Sequence, residues 1–453
     1  MPVTLSCRGK STRRHAFFKL LIAAVCLISP TFGPDCLYAE RPFGATNVDQ
    51  SAFALGSFAL NVVFVESNGS IDPNQEDWTE AQLTTMHGKI EEAAVFWESM
   101  TSSYHPNAQL DITVNYVNGG VPLETGYEPI TRAGFSSNSL WVNQVMNTLG
   151  YVSANVTYNN RDFNNDQRDA LDTHWAATVY VVNDEVDSDG RFSDNQFAFT
   201  YLGGPYIVTT YSNDGWGNDR YHRVLAHEMG HLFFAMDEYQ ASGKRNHARS
   251  GYLNGVNGNA ELNSLGQPVT PPQPDALMLD TTLDPSEFTS VQIGHLDSDN
   301  DSIPDILDTV PYIVGSDVAS DPDAGIFSFT GQGFVNPMEN NNPNSSTDSG
   351  ADMTINTIDF AAYNLDGHGW IDFAAVDGAY GDYVESLSLE LTGLAPGPHT
   401  IDLRITNSVG NYSEVESFEL FVTPEPGALG VLCMGMLVCL RRGRKARGAK
   451  TAT

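Results

Sequence analysis

The chain reads as an α/β (α+β) domain followed by a β-sandwich, enclosed by two terminal segments of different composition. Two patterns carry this reading. Between residues 58 and 235, apolar runs of strand length alternate with stretches whose apolar residues recur every three or four positions, the order of a layered α/β unit. From 354 to 422 only short alternating segments separated by turns remain, as in a sandwich. With 453 residues the chain is long enough for two or three domains.

The elements follow in order. Residues 58–65, from Phe58 to Val65, are apolar almost throughout and are expected as a central strand buried on both faces. Across 78–100, Leu83, Met86, Ile90, Ala93, Ala94 and Trp97 recur at helical spacing. Residues 110–116 alternate as a strand, 139–149 form a helix, and 176–182 are a further apolar strand. Residues 197–211 suggest an edge hairpin interrupted by Gly203, Gly204 and Pro205. A helix carrying Arg223 to Ala235 comes directly afterwards, and 283–293 is expected as another helix, capped by Asp284 or Ser286. Residues 316–350 are rich in Asp, Asn, Pro, Ser and Gly. Sandwich strands are expected at 355–360, 370–376, 384–391, 399–406 and 416–422, with His368 and His399 structural.

Charge and cysteines narrow the class. The chain has 56 acidic and 23 basic residues, net −33. Its cations gather at the ends: Arg8, Lys10, Arg13, Arg14 and Lys19 before residue 40, and Arg441, Arg442, Arg444, Lys445, Arg447 and Lys450 after residue 440. So acidic a body has no basic patch for nucleic acid, and instead favours solubility and divalent cations. Residues 1–39 have the basic start, apolar stretch (16–28) and Leu37-Tyr38-Ala39 ending of a secretory signal peptide. All five cysteines (Cys7, Cys26, Cys36, Cys433 and Cys439) lie in the two end segments, so the exported body is expected to hold no disulfide and no thiol chemistry.

The chemistry is concentrated in His227-Glu228-Met229-Gly230-His231. Two histidines four apart share one helix face, and two imidazoles there can bind one metal. The glutamate beside the first can take a proton from a water at that metal. Asp237 follows six residues after His231, in Met236-Asp237-Glu238-Tyr239. On His227, Glu228, His231 and Asp237 the chain resembles the metzincin clan of zinc peptidases, in its snapalysin-like branch, and the Asp-Glu-Tyr ending resembles IgA-peptidase-like metalloproteases. The resemblance implies zinc held by His227, His231 and Asp237, with Glu238 as the alternative third ligand, and Glu228 as general base. The clan's glycine, three residues after the second histidine, is Phe234 here. The clan's methionine turn would fall at Met278, with Asp280 where some members carry tyrosine.

Two further signals bear on cofactors and sorting. Asp297, Asp299, Asp301, Asp305 and Asp308 occupy positions 1, 3, 5, 9 and 12 of an oxygen-ligand loop for calcium, with Ser302 at the position usually taken by glycine. Asp187-Ser188-Asp189-Gly190 with Asp194 is a weaker second candidate. Thr423-Pro424-Glu425-Pro426-Gly427, an apolar stretch (428–440) and the basic end resemble a PEP-CTERM sorting signal, which implies a Gram-negative bacterium, an exosortase-type partner, transient membrane association and delivery to the cell surface or matrix. The expected domains are therefore 1–39 (signal peptide), 40–296 (zinc peptidase), 297–309 (Asp-rich loop), 316–422 (immunoglobulin-like sandwich) and 423–453 (sorting segment). The expected activity is a secreted zinc metalloendopeptidase on extracellular proteins or peptides. The alternatives are a non-proteolytic zinc amidase and a catalytically idle adhesin or matrix protein.

Overall fold

The computed structural model describes residues 41–187, 189–259, 263–265, 275–280 and 282–424. The signal-peptide and sorting-signal expectations fall outside these, apart from Thr423 and Pro424. Among the described residues no helix is long and apolar enough to cross a membrane.

The protein is mixed α/β. Its first half runs β1 (Gly56–Ser67), α1 (Glu80–Thr101), β2 (Leu110–Tyr116), β3 (Leu123–Thr125), α2 (Gly134–Thr148), α3 (Val156–Leu171), β4 (Trp175–Val182), β5 (Ala198–Thr200), β6 (Tyr206–Thr210) and α4 (Tyr221–Leu232). The sheet order is β2-β1-β4-β6-β5, with β3 also beside β1. All pairs are parallel except β5–β6. Because strand residues alternate between faces, β1 must be apolar at every second position on both sides. Phe58, Leu60, Val62 and Phe64 meet Met86, Ile90 and Trp97 of α1 and Leu225, Met229 and Leu232 of α4. Val63 and Val65 join Trp141, Val142 and Val145 of α2 on the other side. Helix α1 starts at a capping box, Thr79 with Gln82, two residues later than its apolar period indicated.

Helix α3 was not legible in the sequence, and its packing explains why. Its buried positions include Asn159, Asn160, Asn164, Asn165 and Arg168 rather than an apolar stripe. Tyr180 donates to Asn160 (2.6 Å), Thr178 donates to Asn164 (2.7 Å), and Asn164 donates to Gln50 (2.8 Å). A polar face buried through side-chain hydrogen bonds leaves no hydrophobic period to read.

After α4, a two-residue ladder joins β7 (Arg249–Ser250) to β8 (Gly255–Val256), and α5 (Glu287–Gln292) follows. Helix α5 is shorter than 283–293. Ser286, not Asp284, caps it, accepting from the Thr289 amide at 3.0 Å.

The second half has β9 (Tyr312–Asp321), β10 (Ile326–Phe334), β11 (Ile358–Leu365), β12 (Trp370–Phe373), β13 (Val384–Leu391), β14 (Gly397–Asn407) and β15 (Glu416–Val422). Antiparallel sheets β13-β10-β9 and β12-β11-β14-β15 enclose one core containing Phe327, Phe329, Leu387, Ile401, Leu403 and Ile405. The composition of 316–350 concealed β9 and β10. Two buried positions of β10 are Gly331 and Gly333, where a Cβ would lie 2.7 Å from the Phe329 ring and 2.9 Å from Ile405. The close approach needs glycine, and glycine weakens the alternation.

The segment between β10 and β11 lies against the first half. Ser349 donates twice to Asp49 (2.8 Å each), Thr347 donates to the Leu202 carbonyl (2.8 Å), and Tyr252 donates to the Met338 carbonyl (2.6 Å).

Candidate metal centre

Helix α4 carries His227, Glu228 and His231, and it is anchored from below. Trp97 of α1 donates to the Ala226 carbonyl at 3.2 Å. Met278 is fully buried beneath the helix, in a turn where the amides of Leu279 and Asp280 both donate to the Ala276 carbonyl at 3.0 Å. Its sulfur would lie 2.7 Å from a Cβ on Gly230, so the glycine between the histidines lets the methionine seat close to the helix. That function of Gly230 was missed in the sequence.

The helix ends in a Schellman turn. The Ala235 amide donates to the Gly230 carbonyl (2.9 Å) and the Phe234 amide to the His231 carbonyl (3.1 Å). Phe234 sits at φ +69°, the left-handed conformation normally left to glycine. Thus a left-handed turn forms here with phenylalanine in place of glycine. Holding a non-glycine residue there costs about 1–2 kcal/mol. Burial of the phenyl ring, which is 1% exposed and packs onto Gly203, offsets that cost.

The turn returns Asp237 to the helix. Its Oδ1 lies 3.1 Å from His227 Nε2 and 3.3 Å from His231 Nε2. Tetrahedral ligands at zinc bond lengths stand about 3.3 Å from one another, and an ordinary N–H···O bond spans about 2.7–3.2 Å. His227 is within hydrogen-bond reach of Asp237 and both histidines are within ion-pair distance of it, a spacing that would also admit one shared ion. Each ring is also fixed by its far nitrogen. His227 Nδ1 is 2.7 Å from the Leu277 carbonyl and His231 Nδ1 is 2.7 Å from the Ala235 carbonyl, so both donate outward and present Nε2 to the common point. Burial would raise Asp237, but the two imidazoles outweigh it and hold the carboxyl well below the usual range. For His231 burial acts downward, and the Asp237 carboxylate more than reverses it, to about 9.

Glu238 does not join this group. Its carboxyl is buried on the other side of the chain, where Oε1 accepts from Ser286 (2.5 Å) and Thr289 (3.0 Å) at the start of α5. Burial raises its pKa. Of the two acids left open by spacing, the structure directs Asp237 to the histidines and uses Glu238 as a clasp. Three long-range bonds hold this stretch: Met236 N–H to Gln292 (2.8 Å), Asn257 to the Asp237 carbonyl (2.9 Å), and Glu238 N–H to the Met278 carbonyl (2.8 Å).

Glu228 is 7% exposed and faces a cleft with His227, Trp216, Tyr239 and Asp280. Thr200, on edge strand β5, donates to Glu228 Oε2 at 2.8 Å. One carboxylate oxygen is therefore oriented by the strand that borders the cleft. Nothing in the sequence singled out Thr200, because the contact joins residues 28 apart across two elements.

The Asp-rich loop is only partly assembled. Asp297, Asp299 and Asp301 bring oxygens within 4.8 Å of one another. Asp305 instead accepts from the amide and hydroxyl of Ser298 (2.7 and 2.6 Å), and Asp308 accepts from Asn411 (2.7 Å). In the weaker candidate, Asp194 accepts from the amides of Gly134 and Phe135 at the start of α2 (2.9 and 3.0 Å), so it serves a helix end. Ser188 lies outside the described residues. His399 pairs with Asp366 at 2.7 Å on the sandwich surface.

No family model matches the sequence, and no curated protein does. Among solved structures, the chain is similar to the sulfane dehydrogenase SoxCD from Paracoccus pantotrophus, with 12% identity over 23% of each chain and a TM-score of 0.16. It is also similar to fibronectin(III)-like modules of CbhA from Clostridium thermocellum, with 14% identity over 25% of this chain and 47% of that one (TM-score 0.15). The chain thus spans less than half the length of these structures. A longer likeness is to OgpA from Akkermansia muciniphila, with 11% identity over 86% of this chain and 97% of that one (TM-score 0.24). OgpA has also been solved, in catalytically inactive form, with an O-glycopeptide substrate. At these similarities the functional reading rests on the site itself.

Proposed function

We propose that this chain is a zinc-dependent endopeptidase. The observation that supports it is the convergence of His227 Nε2 and His231 Nε2 on Asp237 Oδ1, at 3.1 and 3.3 Å, with both far ring nitrogens tied to carbonyls. Two histidines and one carboxylate is the donor set of a catalytic zinc. Bound zinc would acidify a water and polarise a carbonyl. Glu228, held by Thr200, takes the proton of the attacking water and passes it to the departing amine. Among the described residues strand β5 is the outermost strand of its sheet, an edge along which an extended peptide can pair.

The same reading has the protein exported through residues 1–39 and sorted to the cell surface through 423–453, the sandwich being an immunoglobulin-like appendage. It assigns calcium to Asp297, Asp299 and Asp301.

Metal analysis of the purified chain, combined with digestion of casein, peptidoglycan and an acetylated sugar, tests the proposal. One equivalent of zinc and casein cleavage lost in Glu228→Gln support it. Cleavage of only the wall or sugar material would point to an amidase. Absence of a tightly held transition metal and of activity would point to a binding protein and end the enzyme reading.

A further inference from the structure

We propose that the cleft beside Glu228 selects peptides with a lysine or arginine next to the scissile bond, and that Asp280 recognises the cationic head. This deepens the peptidase reading and rests on it for the position of the bond. The cleft has a volume of about 320 Å³. Phe197, Trp216, Val224, Tyr239 and Leu279 give it apolar and aromatic walls. Apart from His227 and Glu228 of the centre itself, Asp280 is the charged residue of that lining, and no lysine or arginine is among the described residues that line it.

Asp280 is placed to act as a fixed anion. Its amide donates to the Ala276 carbonyl in the turn that seats Met278 (3.0 Å), and its Oδ1 accepts from the Thr282 amide (2.6 Å). The residue is half-buried, and no cation pairs with it among the described residues. Arg220 lies 5.7 Å over the ring of Trp216, on one wall of the cleft, and is not paired with Asp280.

A long side chain with an apolar stem and a charged tip suits such a cleft. The stem lies along apolar walls while the head reaches the carboxylate. Aromatic faces add attraction for a cation. The chain's net charge of −33 attracts cationic peptides over longer range. An acidic side chain in the same place would meet like charge from Asp280.

The test uses the full zinc-loaded chain and fluorogenic peptides identical except for Lys, Gln or Glu at the positions flanking the bond. The lysine peptide is expected to exceed the glutamate peptide by about 100-fold in kcat/KM. Asp280→Asn should shrink that ratio about tenfold or more, and Asp280→Lys should reverse the order. A second arm measures anisotropy of labelled lysine and glutamate peptides on Glu228→Gln, which binds without turnover. There the lysine peptide should bind more tightly, and added salt should erode the preference. Equal cleavage of the peptides, preference for glutamate, or an Asp280→Asn ratio equal to that of the native chain would overturn the proposal. If no peptide is cut at all, the peptidase reading fails, while the binding arm still decides what Asp280 recognises. If the Asp280 variants melt, the native ratio and its salt dependence decide.

Discussion

Two loops of this protein aim carboxylates through a left-handed turn, and neither has glycine at the turning residue. Phe234 lies at φ +69° after α4, and Ser302 lies at φ +75° in the Asp-rich loop. Phe234 is buried and its ring packs on Gly203, whereas Ser302 is exposed. The ligands differ in the same way. The His227 and His231 rings are tied outward through Nδ1 and turn Nε2 to Asp237 Oδ1, at 3.1 and 3.3 Å. The acids of the second loop already accept from their own backbone: Asp297 from the amides of Asn300 (2.8 Å) and Ser302 (3.1 Å), and Asp301 from that of Ile303 (2.8 Å). A required backbone conformation does not fix residue identity. What matters is whether packing compensates the strain and whether the ligand atoms converge on one point.

The sharpest check is on the α4 loop. Glu228→Gln should lower turnover by about 10²–10⁴-fold with zinc content unchanged, since the residue moves a proton and binds no metal. Simultaneous loss of zinc would show that the helix, not the proton transfer, had been damaged.

Packing at the turn comes next. Phe234→Ala keeps the strained φ and loses the ring, so denaturant unfolding should show a loss of about 3–5 kcal/mol. Phe234→Gly should be less damaging by about 1 kcal/mol, because it removes the strain. Equal losses would mean that the left-handed turn costs nothing here.

Ligand removal separates the loops further. Asp237→Ala should weaken zinc binding at least about 100-fold, measured by competition with a chelator, whereas Glu238→Gln should leave it much less affected. For the Asp-rich loop, calorimetry should find calcium binding only in the weak extracellular range, Kd of about 10⁻⁴–10⁻³ M, because its exposed acids must first surrender backbone partners. Nanomolar calcium would break the comparison. The smallest effect belongs to Ser302→Gly, expected to raise stability by about 0.5–1 kcal/mol through relief of an uncompensated strain.

What could be read in advance was local. The spacing of His227 and His231 is a property of one helical turn, and the apolar runs of β1 and β4 report burial on both faces of a central sheet. Elements that hide their apolar signal escaped. Helix α3 buries asparagines, and β10 turns glycines inward.

The choice between Asp237 and Glu238 illustrates the boundary. They are neighbours in sequence with the same charge, so spacing could not separate them. Gln292, Asn257 and Met278, all remote in the chain, hold the loop so that one carboxylate faces the histidines and the other meets the start of α5. Thr200 reaches Glu228 only because β5 packs beside α4. The sequence by itself determined the histidine pair, the candidate base and the order of the main strands, because those follow from periodicities within single elements. The third ligand, the clasp and the partner of the base were decided by tertiary structure, because each depends on where a turn delivers a side chain against a surface built from distant residues.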